Sequence, residues 1–269
     1  MLFIRKRRTP DTVKEKALEI IRTPDSGYET ITLPEDREQL RKLFDMMPKD
    51  EIREALCKEQ HGLCAYCMRR IKPNQSYDNS KNEDFTRIEH YKPLLKDKGA
   101  ALDYQNFLGV CFGGEHDDKS KSYVLCCDAA RKEADLTINP WDQRQMKAIG
   151  YERNGKIFVR KDMGLDSTLV DEMQKDIDKV LQLNGIMNSE GKVIFDTASK
   201  LIVNRKKIYD STCSQFERWS KKGCLTENFL KEKIEMLEKQ LEGENIAEPY
   251  IGVRLYFYKR KYGKLKRMT

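Results

Sequence analysis

Apolar and polar positions alternate along the chain in ways that change twice. The first third reads as helix. In TVKEKALEIIRT (12–23), Val13, Ala17, Leu18 and Ile21 recur at helical spacing and share one face. LPEDREQLRKLFDMM (33–47) opens with Pro34 and acids, which are helix-start signals, and carries the stripe Leu40, Leu43, Phe44, Met47. KDEIREALCKEQHG (49–62) follows Pro48, can be capped by Asp50, and stops at Gly62.

Between 64 and 140 the helical period is lost. KPNQSYDNSKNED (72–84) and GGEHDDKSKS (113–122) read as polar loops, and FTRIEHY (85–91) alternates like a strand. DYQNFLGVC (103–111) reads as a short helix capped by Asp103, and CCDAARKEA (126–134) as another. From Tyr151 onward YERNGKIFVR places Asn154-Gly155 between two β-like arms, a hairpin signal. Three helical stretches follow at 166–184, 197–219 and 227–243, the last with Phe229, Leu230, Ile234, Leu237 and Leu241 on one face. The fold expected is α+β and mainly helical. It divides into an N-terminal helical region (1–62), an irregular metal-binding core (63–142) and a C-terminal helical region with a hairpin and a basic tail (143–269).

A chain of 269 residues can bury a sizeable core, and its 35% charged content suits a water-soluble protein. No run approaches the roughly 20 apolar residues of a membrane span. The basic N-terminus MLFIRKRRTPD lacks a secretory apolar segment, so the expectation is a cytoplasmic protein with no membrane partner. Net charge is +7, and Ile251–Thr269 alone contributes seven Lys and Arg without an acid. That interleaved basic and aromatic segment suits nucleic acid or an acidic partner, or else a solvated terminal face.

Of the eight cysteines, Cys64, Cys67, Cys111, Cys126 and Cys127 gather in the irregular region. In a reducing compartment such a cluster points to metal rather than disulfides. Cys64-x-x-Cys67 is a zinc-knuckle spacing. Cys111 offers a third ligand, and Cys127 or its neighbour Cys126 the fourth. Adjacent cysteines cannot easily share one ion, and Cys127 is favoured because it heads the helix-like CDAARK. His116 is a weaker substitute. Four thiolates leave no open coordination position, so this zinc is structural.

One of only three histidines follows an acid in RIEHYKP (87–93). Glu89, His90 and the later Asn106 form the group that metal-assisted phosphodiester hydrolysis uses. An imidazole takes a proton from water near neutral pH, and a carboxylate and an amide oxygen hold a hard divalent cation such as Mg²⁺. A Walker loop is excluded at GGEHDDKSKS because Asp118 stands where a glycine must precede the lysine. A zinc deaminase is excluded because the acid precedes the histidine. The rival from another class is a non-catalytic, zinc-stabilised nucleic-acid-binding or scaffold module.

The order CxxC, acid-His, Asn, Cys, Cys resembles the HNH (ββα-metal, His-Me finger) nucleases that carry a structural zinc. ALCKEQHGLCAYCMRRI, RIEHYKP, LDYQNFLGVCFGG, CDAARKEADLTINP and LQLN with the later Arg205 resemble, over roughly 50–210, the HNH proteins of Septu-type anti-phage systems (PtuB) and their retron-linked relatives. The resemblance implies a zinc-stabilised ββα-metal HNH core embedded among helices. It also implies a metal-dependent endonuclease with His90 as general base, Glu89 and Asn106 on a catalytic Mg²⁺ or other divalent cation, and Cys64, Cys67, Cys111 and Cys127 on zinc. The partners implied are a PtuA-like ATPase and nucleic acid, DNA ahead of RNA, in bacterial defence. Many HNH proteins have a histidine after the last zinc cysteine. Here Asp128 stands there, as a helix cap or as a group near the metal.

Overall fold

A computed structural model describes residues 1–73, 85–94, 96–114, 124–197 and 199–267. The first elements are α1 (Asp11–Arg22), α2 (Arg37–Asp45) and α3 (Lys49–Glu59). Their apolar stripes meet in one cluster: Val13 and Ile20, Leu40 and Leu43, Ile52 and Leu56. Ile20, two turns on from Val13, takes the core position expected of Leu18. Helix α3 ends at Glu59, three residues short of the expected stop, and Gly62 closes the turn that follows it. The Gly62 φ is 68°, and its N–H returns to the Cys57 carbonyl at 2.8 Å, which satisfies an end carbonyl that the helix leaves open.

Strands β1 (Arg87–His90) and β2 (Phe107–Val110) form an antiparallel pair with Arg87 opposite Val110 and His90 opposite Phe107. The second strand corrects the expected helix at 103–111. Asp103 does cap, accepting from the Gln105 N–H at 2.9 Å, but only the 3-10 turn Tyr104–Asn106 follows before the chain extends. Phe107–Val110 is buried at every position, and a short, wholly apolar run is the signature of a strand covered on both faces. Helix α3 lies against this pair. Its last turn is sutured to β2 by Gln60, whose Oε1 accepts from Gly109 N–H at 2.7 Å and whose Nε2 donates to the carbonyls of Gly109 (2.7 Å) and Leu63 (2.9 Å). A side chain at residue 109 would press on Gln60 and Thr86, so the glycine permits this approach.

The short helices α4 (Cys127–Arg131) and α5 (Gln143–Ala148) lead to the hairpin β3 (Ile149–Tyr151) and β4 (Ile157–Val159), turned at Asn154-Gly155 as its sequence predicts. Helix α6 (Ser167–Lys175), capped by Asp166, runs into a π-turn at Asp176–Val180. A small hairpin, β5 (Ile186–Met187) and β6 (Val193–Phe195), precedes α7 (Leu201–Lys221), α8 (Glu227–Glu238) and α9 (Ile251–Leu265). The segment read as a basic tail is thus mostly α9. Its Ile251, Leu255, Phe257 and Tyr258 pack with Leu230, Ile234 and Leu237 of α8. The largest apolar cluster lies between the two helical ends. It joins the cysteines to Met146, Tyr151, Ile177, Leu183, Leu201 and Tyr250. The architecture is α+β, mainly helical, with two-stranded sheets, and no helix among the described residues is long and apolar enough to cross a membrane.

Replacing Gln60 by Ala strands the buried N–H of Gly109, while the Gly109 carbonyl keeps the Ala65 N–H. At about 1–3 kcal/mol for a buried group left unpaired, the expected loss is about 2 kcal/mol. It is measurable as a lower urea midpoint with an unchanged m-value.

Candidate metal centre and adjoining carboxylate site

Three pieces of chain bring four sulfurs together. The first is the turn after α3. Met68 N–H bonds the Cys64 carbonyl at 3.0 Å with Met68 at φ 62°, and Arg69 N–H reaches Cys67 Sγ at 3.4 Å, which folds Cys64 and Cys67 toward the same point. Ala65 N–H docks this turn on β2 through the Gly109 carbonyl at 3.1 Å. Cys111 follows the end of β2. Cys127 starts α4, its N–H held by the Leu181 carbonyl at 2.9 Å. Gly113, at φ 64°, pairs with Cys126 so closely that a Cβ there would sit 2.0 Å from the Cys126 carbonyl oxygen. This pairing sets Cys111 and Cys127 side by side.

The Sγ atoms of Cys64, Cys67, Cys111 and Cys127 all lie within 4.8 Å of one another, and all four residues are buried. Contacts of 3.9 Å (Cys64–Cys127), 3.7 Å (Cys67–Cys111) and 3.8 Å (Cys111–Cys127) match the edge of a tetrahedron. Sulfurs about 2.3 Å from a zinc ion stand about 3.8 Å apart. The quartet is positioned to hold a metal ion and is compatible with structural zinc. Cys126 is outside it and turns toward the Gly113 carbonyl at 3.6 Å, which separates the two adjacent cysteines as the sequence reading favoured. His116 lies outside the described residues. Burial holds the Cys67 and Cys127 thiols well above the ordinary range, while hydrogen bonds from neighbouring thiols draw Cys111 well below it.

Behind the sulfurs lies Arg205, fully buried. Its Nε donates to the Gly155 carbonyl (2.7 Å) and its Nη2 to the Leu183 carbonyl (2.6 Å), while Nη1 has no hydrogen-bond partner. Burial lowers its pKa, with Tyr151, Tyr250 and Cys67 acting in the opposite direction. Asn184 pins Ile157 through both backbone groups at 2.8 Å. The LQLN and Arg205 elements therefore form the wall against which α4 and Cys127 rest.

Glu89 and His90 leave β1 on opposite faces. Glu89 is buried, and its Oε1 accepts from the Arg131 Nη1 of α4 and from Tyr66 Oη at 3.2 Å. Arg131 also donates to the carbonyls of His90 (3.1 Å), Tyr91 and Ala134 (2.8 Å), so one guanidinium fastens α4 to the end of β1. Burial raises the Glu89 pKa well above the carboxylate range; the nearby Asp128 carboxylate adds to this, and Arg131 opposes it. Asp128 itself pairs with Arg87 at 3.4 Å.

The His90 ring sits edge-on between Phe44 (4.5 Å between centroids) and Phe107 (4.9 Å). Its Nε2 lies 3.0 Å from the Ala101 carbonyl. A carbonyl only accepts, so Nε2 carries the hydrogen and Nδ1 keeps the lone pair. Burial lowers the His90 pKa to about 4, with the Ala101 bond and Asp128 acting the other way, so the ring is neutral at pH 7.

Asn106 plays a different part from the one expected of it. Its Oδ1 accepts from Lys92 N–H (2.8 Å) and its Nδ2 donates to the carbonyls of Lys92 and Ala100 (both 3.0 Å). The amide is thus taken up in closing the 92–100 loop, and Asn106 ends a single 3-10 turn just before β2 rather than lying one turn into a longer helix. The pair of oxygen donors that share one face is Glu89 with Asp128. Half-buried Asp128 stands close enough to the buried Glu89 to raise its pKa, and Asn106 is not part of that pair. Sequence reasoning passed over Arg131 and ranked Asp128 as a helix cap. The available signal was their three-residue spacing on α4 directly after Cys127. No protein-family model matches the chain, and a search of curated proteins also returns no match.

Metal analysis of the purified chain is expected to find one tightly held ion, lost on replacing Cys64, Cys67, Cys111 or Cys127 by Ser and kept in Cys126→Ser. Stability is also expected to depend on pH through His90. Its folded pKa, about 4, is below the ordinary 6.5. The unfolded chain therefore binds the extra proton between these values. Stability is full above about 6.5 and falls as pH drops toward 4, at most by about 1.4 kcal/mol per unit from this group. Urea melts across that window should show a shallower slope for His90→Gln.

Proposed function

We propose that this chain is a divalent-metal-dependent HNH-type endonuclease with a structural zinc, acting on nucleic acid as the effector of a cytoplasmic bacterial anti-phage complex with a PtuA-like ATPase. One arrangement supports the reading above others. Two antiparallel strands are followed by a short helix, and the four-cysteine cluster and Arg131 hold that helix across the end of β1, where Asp128 meets Glu89. This is the order a ββα-metal core requires.

In this reading Glu89 and Asp128 hold the catalytic cation. When bound, that ion neutralises charge on the phosphate and on the leaving oxygen. His90 acts from its own side of the strand end as the general base. It is neutral at working pH, with Nδ1 free to take a proton from water, and Asp128 is within electrostatic reach of it as well as of Glu89. Arg131 orients Glu89 and the backbone of His90 and Tyr91. Asn106 keeps the loop that follows His90 in place, and so positions the base without touching the metal.

A second reading has its own observation. Arg131 already neutralises Glu89, and Asn106 is engaged in closing the 92–100 loop, which is the state of a zinc-stabilised binding or scaffold module. Cleavage of plasmid DNA and of total RNA in Mg²⁺ or Mn²⁺, by the chain together with its ATPase partner, separates the two. His90→Ala and Asp128→Asn are each expected to lower the rate about 100-fold or more, the usual range for a lost acid–base group. Wild-type rates in both variants would leave the scaffold reading standing.

A further inference from the structure

On another side of the molecule, a half-open groove of about 1070 Å³ runs between the β3–β4 hairpin and α9, and no residue of β1, β2 or α4 lines it. Its lining carries seven cationic side chains against two acids. One wall presents Lys147, Arg160 and Lys161. The other presents Lys259, Arg260, Lys264 and Arg267. Arg160 pairs with Asp162 at 2.8 Å and Lys259 with Glu238 at 2.7 Å. Among the described residues none of Lys147, Lys161, Lys264 and Arg267 has an acidic partner within ion-pair distance.

Spacing makes this more than a charged surface. Tyr256, Lys259, Arg260, Gly263, Lys264 and Arg267 fall at i, i+3, i+4, i+7, i+8 and i+11, a single face of α9 and the turn after it. Two cations on other faces of the helix are engaged. Lys261 lies over the Phe216 ring at 4.9 Å, and Arg254 meets Glu248 at 3.3 Å. The groove thus gathers seven cations, of which Lys147, Lys161, Lys264 and Arg267 have no acid at ion-pair distance among the described residues. Between them stand aromatic rings. Phe158 and Tyr256 are perpendicular with centroids 6.2 Å apart, and Phe3 is 41% exposed at the rim. Gly263 adds an independent sign. A glycine inside a helix costs about 1 kcal/mol relative to alanine. Here a Cβ would meet nothing within 4 Å, so no packing in this chain asks for it. It does leave room for a ligand backbone to approach the helix.

We propose that this groove binds a single strand of nucleic acid, its phosphates on the α9 cations and Arg160–Lys161, its bases against Phe158 and Tyr256. The choice of polyanion deepens the nuclease reading and rests on it. From Tyr256 to Arg267 the helical rise is about 16 Å, the length of about five stacked nucleotides at about 3.4 Å each. Alternating rings and guanidinium groups suit a strand with exposed bases. An acidic protein segment would use the charges and leave the rings idle.

The test is fluorescence anisotropy of the full chain with short labelled oligothymidylate and oligouridylate over a salt series. The triple variant Arg260→Ala, Lys264→Ala, Arg267→Ala is expected to bind at least tenfold more weakly. Its slope of log affinity against log salt should be shallower by about 2, from about 0.7 per lost contact on a single strand. Lys147→Ala with Lys161→Ala, from the facing wall, should weaken binding too. Lys231→Ala on exposed α8 should not. Unchanged affinity in both groove variants overturns the proposal. So does a polyglutamate peptide whose binding needs the groove while oligonucleotide binding does not. The thymidylate and uridylate arms show which sugar the strand carries. Hydrolysis of bis(p-nitrophenyl) phosphate, too small to need the groove, reads the metal centre alone. Groove-dependent binding without that hydrolysis leaves the groove standing and removes the nuclease.

Discussion

The sulfur quartet is the constraint on which the middle of this molecule depends. Cys64 and Cys127, whose sulfurs come within 3.9 Å, are 63 residues apart in sequence. The segments they join, a turn, a strand end and the first turn of a five-residue helix, are each too short to hold a shape alone. With the quartet formed, α4 has a fixed origin, Arg131 reaches the end of β1, and Asp128 stands beside Glu89. Without it, nothing printed in the local sequence of 127–131 would place those side chains.

Charge follows from the same constraint. Four thiolates on a divalent cation retain a net charge of about −2 in a buried place, which is costly unless cations lie close by. Arg205 meets that condition. It is a buried guanidinium bound only to neutral oxygens, and Cys67 is among the groups that favour its charged form. Arg131 does the corresponding work for Glu89. The interior thus holds two buried guanidinium groups, one paired with a carboxylate and one bonded to neutral oxygens near the cysteine cluster.

Much of this was legible in the sequence. The three N-terminal helices, the Asn154-Gly155 hairpin and the C-terminal helices follow from periodicity and turn chemistry, and the four sulfurs from spacing and from the position of Cys127 at the head of CDAAR. The strand at Phe107–Val110 was not, because four apolar residues carry no period that separates a covered strand from a buried turn of helix. The Arg131–Glu89 pair and the loop-closing role of Asn106 were hidden for another reason. They are contacts between segments 42 and 14 residues apart, and nothing local encodes them. The basic segment at 251–267 looked like a tail because its charges outnumber everything around them, yet Ile251, Val253, Leu255 and Phe257 are buried.

The apolar cluster around the cysteines is drawn from nearly the whole length of the chain: Met146 and Tyr151 from one side, Leu183 and Leu201 from another, Tyr250 and Val253 from the last helix. Residues 63–142 are accordingly not a cassette. Cut out, they would lose the Leu181 carbonyl that fixes Cys127, the Arg205 that faces the sulfurs and most of the oily wall around them. Trimming or transplanting has to be planned around the entire body rather than around the motif, and the motif in a differently folded host has no reason to keep its shape.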